Sequence, residues 1–270
     1  MNTVQDAGTP WPLDGFVIFR RVFDKATVGR LHVLLDEHRA AGTPSRQVLY
    51  THLQPAARSG AGEGMAALME QWLNPHIGGV RLSTLPIAKK LRVWVRSLLQ
   101  AEPVLFQDLL MSKNPGHQPF PFHQDFPFWP VAEPAGGVLW APLDPVDEEA
   151  GGLTVACGSH LAGIGPPIDL HSGGPQPGFT TTVETPQRFA ALTPVLDPGD
   201  AIWLHPLLWH RSGLNRSGRQ RRVWASTWLP AEARWLHARA PRHPATLRLP
   251  DGEPVGARGW APLATGLVDA

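Results

Sequence analysis

The spacing of apolar positions changes near residue 100 of this 270-residue chain. Before that point it is helical. Leu31, Val33, Leu34 and Leu35 lie between Asp24, which suits an N-cap, and Gly42, which suits a stop. Leu91, Val95 and Leu98 follow i, i+4, i+7 spacing and predict a second helix from Pro86 to Gln100, since proline is tolerated in a first turn. A weaker pattern predicts a helix over Gly60–Leu73. From Val104 onward the apolar runs are short and punctuated by turn residues. They predict strands at Val104–Ser112, Gly137–Leu143, Leu153–Ala156, Thr193–Leu196, Ala201–His205 and Arg222–Leu229. Asp144–Glu149 reads as an acidic turn and Asp197-Pro198-Gly199-Asp200 as a tight one. Consecutive short strands without intervening helices predict an antiparallel sandwich or barrel. Leu161–Gln187, rich in Gly, Pro and Ser, is too long for an ordinary connection and reads as a mobile cover or a partly disordered stretch. The tail from Ala231 fits no element pattern, and no internal repeat is visible.

Composition sharpens this picture. At 43% hydrophobic and 17% charged, the chain can bury a substantial core and suits one large domain or a domain with extensions. Its 29 prolines and 27 glycines favour many short elements joined by turns. A net charge of +1 supplies no global field for nucleic acid or an anionic membrane. Cys157 is the one cysteine, so no intrachain disulfide can form. Met1–Asp14 lacks the basic start and apolar run of a signal peptide, and no apolar run approaches the roughly 20 residues of a membrane span. The expectation is a soluble cytoplasmic protein acting on a small molecule, with no nucleic-acid or membrane partner. Oligomeric state is not legible.

The chemistry centres on Pro121-Phe122-His123-Gln124-Asp125. Residues i and i+2 of a strand point to one face, so His123 and Asp125 can aim an imidazole nitrogen and a carboxylate oxygen at one point. A third ligand must come from elsewhere. His210, at the end of the apolar segment that starts at Ile202, is the best candidate, and His205 competes with it. Two histidines and one carboxylate leave open positions on a non-haem iron(II) for cosubstrate and dioxygen.

These residues resemble the phytanoyl-CoA dioxygenase family of 2-oxoglutarate oxygenases. The resemblance has four parts in order. They are Phe122-His123-Gln124-Asp125, the segment Gly151–His160 ending Gly158-Ser159-His160, Pro198-Gly199-Asp200 leading to His210-Arg211-Ser212, and Asn215-Arg216-Ser217 followed by Arg221-Arg222. Asp14-Gly15-Phe16-Val17 also looks like the family's opening strand. The resemblance spans Asp14 to Pro230, with Cys157 where the family has proline and Phe122 where it has tryptophan. It implies a mainly β, α+β fold, a double-stranded β-helix (jelly roll) with helices on one sheet. The whole chain, 1–270, would be one oxygenase domain, with a helical part to about residue 100, a jelly-roll core to about 230 and a C-terminal extension. The resemblance also implies Fe(II), 2-oxoglutarate and O2, with His123, Asp125 and His210 as ligands and Arg221 as the partner of the cosubstrate carboxylate. Related halogenases carry Gly or Ala where this chain has Asp125. The retained carboxylate leaves no position for halide and favours hydroxylation. The alternatives are a jelly-roll metalloprotein with non-oxidative chemistry, which would not need Arg221, and an inactive relative that only binds.

Other residues join by position. Lys113 and Gln107 lie on the strand before His-x-Asp and could line the pocket, and Ser212 could help hold the cosubstrate carboxylate. Trp140 and Trp203 are candidate pocket walls or core. Of the basic cluster from Arg211 to Arg222, most members read as a solvated loop. Arg221 and Arg222 are neighbours on a strand and must face opposite ways. If Arg221 points in, Val223, Ala225 and Thr227 follow it, while Trp224 and Trp228 point out toward the helices.

Overall fold

The computed structural model describes residues 13–40, 69–73, 88–116, 119–166, 186–240 and 249–258. Along the chain these form β1 (Phe16–Phe19), α1 (Lys25–Ala40), β2 (Met69–Leu73), α2 (Ala88–Leu99), β3 (Pro103–Lys113), β4 (Phe120–His123), β5 (Gly137–Pro142), β6 (Leu153–Ala156), β7 (Ala191–Leu192), β8 (Ala201–Leu204), β9 (His210–Ser212) and β10 (Arg221–Pro230). The strands pair antiparallel in two sheets, a major one ordered β1-β8-β5-β10-β3-β2 and a minor one ordered β4-β9-β6-β7. This is the expected jelly roll. Among the described residues no helix is long and apolar enough to cross a membrane.

Alternation along the major sheet builds both of its faces. On β10, Val223, Ala225 and Leu229 enter the space between the sheets, with Val138 and Trp140 of β5 and Ile202 and Leu204 of β8. The intervening Trp224 and Trp228 turn outward and form a second buried cluster with Val28, Leu31, Leu34 and Leu35 of α1 and Leu91, Val95 and Leu98 of α2. This is the predicted register. Each outward indole also has a polar partner: Trp224 Nε1 donates to Asp108 Oδ2 at 3.1 Å and Trp228 Nε1 to Ser226 Oγ at 2.9 Å. The helix start is as read from the sequence, with the Thr27 amide donating to Asp24 Oδ1 at 2.7 Å.

Three expectations are corrected. The end of the predicted Gly60–Leu73 helix is strand β2, and residues 60–68 lie outside the described residues. Thr193–Leu196 is not a strand. The chain pairs at Ala191–Leu192 instead, and Leu196 makes a single bridge to Val146. Pro194 lacks the amide that a ladder needs. The His-x-Asp motif does not lie wholly on a strand: β4 ends at His123, and Asp125 begins a 3-10 turn over Phe126–Phe128. Strand β9 escaped sequence reading because the short His-Arg-Ser run gives no clear alternation, and β4 was read from its His-x-Asp chemistry alone, since Pro121 interrupts the pattern. Most of the Leu161–Gln187 segment, residues 167–185, lies outside the described residues.

The described parts of the unassigned tail, residues 231–240 and 249–258, have a defined place. Ala233, Trp235, Leu249 and Val255 are buried in the cluster between the sheets.

Trp224→Ala removes a large side chain from a full cluster, together with its hydrogen bond to Asp108. Chemical denaturation should show a loss of ~3–5 kcal/mol, with the spectroscopic signature of metal bound between the sheets unchanged.

Candidate metal centre

His123 and His210 are cross-strand partners on β4 and β9, their ring centroids 4.2 Å apart. Asp125 reaches the same point from the adjoining turn. Its Oδ1 lies 3.6 Å from His123 Nε2 and 3.7 Å from His210 Nε2. One ligand atom from each residue falls within 4.8 Å of the others, and among the described residues this is the one such cluster. An ion bound about 2.0–2.2 Å from each donor fits that spacing. His205 is not in it. Its ring packs against His160, centroids 4.8 Å apart, and its Nδ1 accepts the Leu207 amide at 3.0 Å. The structure thus groups His210, and not His205, with His123 and Asp125.

Local bonds aim the donors. His123 Nδ1 donates to Pro121 O at 2.9 Å, and His210 Nδ1 to Leu208 O at 2.9 Å. With Nδ1 so occupied, each ring presents the Nε2 lone pair to the cluster. Burial, followed by the charge His210 could carry, pulls the His123 pKa down to about 3, so its ring is neutral and able to ligate at neutral pH. Burial raises the Asp125 carboxyl, with His210 opposing. A cation here would reverse that rise.

Gln124 and Ser159 hold these elements together, and sequence reading gave neither a role. The Gln124 side chain is buried. Its Nε2 donates to Leu207 O at 2.7 Å and Gly163 O at 3.0 Å, while its Oε1 accepts the Gly165 amide at 2.7 Å. Ser159 Oγ accepts the Trp209 amide, next to His210, at 2.9 Å. The available signal was their place inside the two quoted motifs, an amide between two ligands and a hydroxyl in Gly-Ser-His.

A second feature faces the same interior. Arg221 on β10 pairs with Lys113 on β3, and both are buried, with relative exposures of 3% and 0%. Lys113 Nζ donates to Ser212 Oγ at 3.1 Å and to Gly213 O. The Arg221 guanidinium lies over the Trp140 ring, 5.5 Å from its centroid, and its Nε has no partner. Among the described residues no carboxylate forms a salt bridge with either cation. Burial first, and Arg221 second, pulls the Lys113 ammonium down to about 7. Burial brings Arg221 down to about 10 against the opposing pull of Asp144. Arg222 faces out and grips Asp144 with Nε at 2.9 Å and Nη2 at 2.7 Å. Arg221, Lys113 and Ser212 thus converge. Gln107 shares the inward alternation of β3, opposite Thr227, but its Cα lies roughly 20 Å along the strand from that of Lys113. It is not part of the cationic pair. Trp203 packs in the outer cluster with the helices, so it is no pocket wall.

Residues 11–223 match the model of the phytanoyl-CoA dioxygenase (PhyH) family. This chain belongs to that family. A curated relative, the peroxisomal phytanoyl-CoA dioxygenase of Bos taurus, is 30% identical over 100 residues, which cover 36% of this chain and 29% of the bovine enzyme. The match therefore spans less than a third of that relative. Two solved structures share the fold. The non-heme alpha ketoglutarate dependent carbocyclase SnoK from nogalamycin biosynthesis is 18% identical with a TM-score of 0.66, covering 94% of this chain and 93% of its own. The epimerase SnoN, in complex with Fe3+, alpha ketoglutarate and nogalamycin RO, is 23% identical with a TM-score of 0.63, covering 89% and 91%. All three residues of the His-Asp-His cluster fall within the span that matches the family.

Gln124→Leu keeps the volume and removes all three bonds. Hydrogen exchange at the Gly165 amide should then approach the rate of an open loop, while Val155 in the β6–β9 ladder stays protected. Unchanged protection at Gly165 would contradict the tethering role.

Proposed function

We propose that this chain is an Fe(II)- and 2-oxoglutarate-dependent oxygenase that hydroxylates an unactivated C–H bond of a small organic metabolite. The observation that carries this is a pairing: a His-Asp-His cluster able to hold one ion, and, between the same sheets, two buried cations that no carboxylate bridges among the described residues. A dicarboxylate with one end at the metal and the other at Arg221 and Lys113 satisfies both.

His123, Asp125 and His210 hold the iron. Iron held there would, with 2-oxoglutarate and O2, supply the oxidising power, with succinate and CO2 as the other products. Everything else falls to the protein. Arg221 offers a flat, permanently charged fork suited to a carboxylate, pressed against Trp140 so that its plane is set. Lys113 adds a second positive charge, oriented through Ser212 and Gly213. The half-buried side chains of Leu109 and Met111, which pack against the cluster between the sheets, form an apolar wall that keeps bulk water from the reacting C–H. That wall and the near-neutral chain favour a compact, mainly apolar substrate over a protein or nucleic acid. Among proteins that share this fold, one is named a carbocyclase and another an epimerase, so the fold alone does not choose the reaction. The intact Asp125 and the family favour hydroxylation here.

Succinate formation from 2-oxoglutarate tests the reading. Asp125→Ala should abolish it and Arg221→Ala should cripple it, while Arg222→Ala should leave it within a few-fold of the parent. Full activity in Asp125→Ala would remove the basis of the assignment.

Lys113 sets a pH dependence whose sign is fixed. Its pKa is lowered from 10.5 to about 7, so the free protein loses this positive charge as pH rises through about 7. Binding an anion must then restore a proton. Affinity of the Mn(II)-loaded protein for 2-oxoglutarate should therefore fall above pH 7, by at most about tenfold per pH unit. Calorimetric titration of the parent and of Lys113→Met, which should lose this dependence, checks it.

A further inference from the structure

The C-terminal extension lies beyond residue 223, where the family match ends. It nevertheless reaches the turn that carries Asp125. Phe126, immediately after that ligand, is 2% exposed, and its ring meets Trp129 edge-on with centroids 6.5 Å apart. Trp129 meets Phe106 at 6.4 Å, and Phe106 meets Trp235 of the extension at 6.2 Å. The backbone is tied in parallel: the Ala132 amide donates to Arg234 O at 2.9 Å and the Leu236 amide to Pro130 O at 2.9 Å.

Arg239 closes this arrangement. Its Nε donates to Val131 O at 2.9 Å and its Nη2 to Ala132 O at 3.1 Å. Its guanidinium lies over the Phe126 ring, 4.5 Å from the centroid. One planar cation thus covers the ring next to Asp125 and binds two carbonyls at the far side of the same loop. The backbone of Phe126 is held as well: its amide donates to Pro206 O at 3.1 Å and its carbonyl accepts the Trp129 amide at 3.0 Å. Asp125 is the one ligand on a turn rather than a strand, and its carboxylate makes no capping hydrogen bond to that turn. Its direction is set by how firmly the turn is held.

We propose that the extension is part of the metal centre, with Arg239 as a positioning residue that fixes the Asp125 turn. This rests on the reading of His123, Asp125 and His210 as metal ligands. Lysine in place of Arg239 keeps a charge over the ring but cannot span both carbonyls, and alanine loses both functions.

Co(II), whose visible absorption reports coordination geometry, is the probe. It is titrated into the parent, Arg239→Ala, Arg239→Lys, Phe126→Leu, Arg234→Ala and Asp125→Ala, and thermal unfolding of each metal-free protein is measured alongside. Arg234, also on the extension, is exposed and donates only to Gly252 O, at 2.9 Å. Arg239→Ala should weaken Co(II) binding by ~10-fold, the lower end of what outer partners of metal ligands contribute. Its absorption envelope should also change, while its metal-free melting stays close to that of Arg234→Ala. Arg239→Lys should recover part of the affinity, and Arg234→Ala should bind like the parent. Should Arg239→Ala fail to fold, Phe126→Leu, which keeps an apolar filler and removes the ring face, decides by showing or lacking the same loss. Parent-like affinity and spectrum in Arg239→Ala, or an equal loss in Arg234→Ala, overturns the proposal. Parent-like Co(II) binding by Asp125→Ala would instead overturn the ligand assignment itself.

Discussion

Alternation along β10 couples the core of this protein to its site. A strand exposes successive residues to opposite faces, so placing Arg221 between the sheets also commits Trp224 and Trp228 to the helices. A slip of one residue would drive two indoles into the cavity and leave the arginine against α1 and α2. The helical layer therefore does more than cover a sheet. By accepting two tryptophans it makes the alternative register costly, and so keeps a cation inside. The outward Arg222 reinforces the choice, since its paired bonds to Asp144 are available on that face alone.

Burying Arg221 beside Lys113 opposes folding, because both are desolvated and each repels the other. Part of the cost is offset by the Trp140 ring under the guanidinium and by the two oxygens that receive the Lys113 ammonium. The unpartnered Arg221 Nε shows that the offset is incomplete. Such an imbalance favours an anionic ligand, whose arrival relieves both repulsion and desolvation. The metal cluster has the opposite character. His123 is kept neutral and the Asp125 carboxyl is raised by burial, so it too is eased by the arrival of a counter-charge.

The sequence revealed these features unevenly, for physical reasons. Period-two alternation was plain on the long strands β3, β5 and β10, where many residues share the signal, and it gave a parity check on the arginine that the family resemblance had picked. It was absent from β4 and β9, which are four and three residues long. The ligands were nonetheless legible, because His-x-Asp and the order of motifs are chemical patterns that need no periodicity. The geometry of Asp125 was not, since a strand and a strand-to-turn junction bring positions i and i+2 to similar places. Gln124 and Ser159 were overlooked because a buried amide or hydroxyl between backbone segments leaves no spacing rule in the chain. The tail resisted assignment for a related reason: its contacts are single bridges and 3-10 turns, and a lone Trp235 or Arg239 has no periodic neighbour to announce it.

Both metal-facing histidines donate Nδ1 to the carbonyl two residues earlier. A ring held in this way takes its direction from its own backbone and borrows nothing from a distant side chain. Substitutions elsewhere can then accumulate without turning either imidazole. Chains of this fold that agree at only 18–23% of positions with this one fit such tolerance. Walls that contact a substrate are free to diverge while two of the three ligand directions travel with their local segments. A lineage built on this device can change what it acts on without rebuilding the place where the chemistry happens.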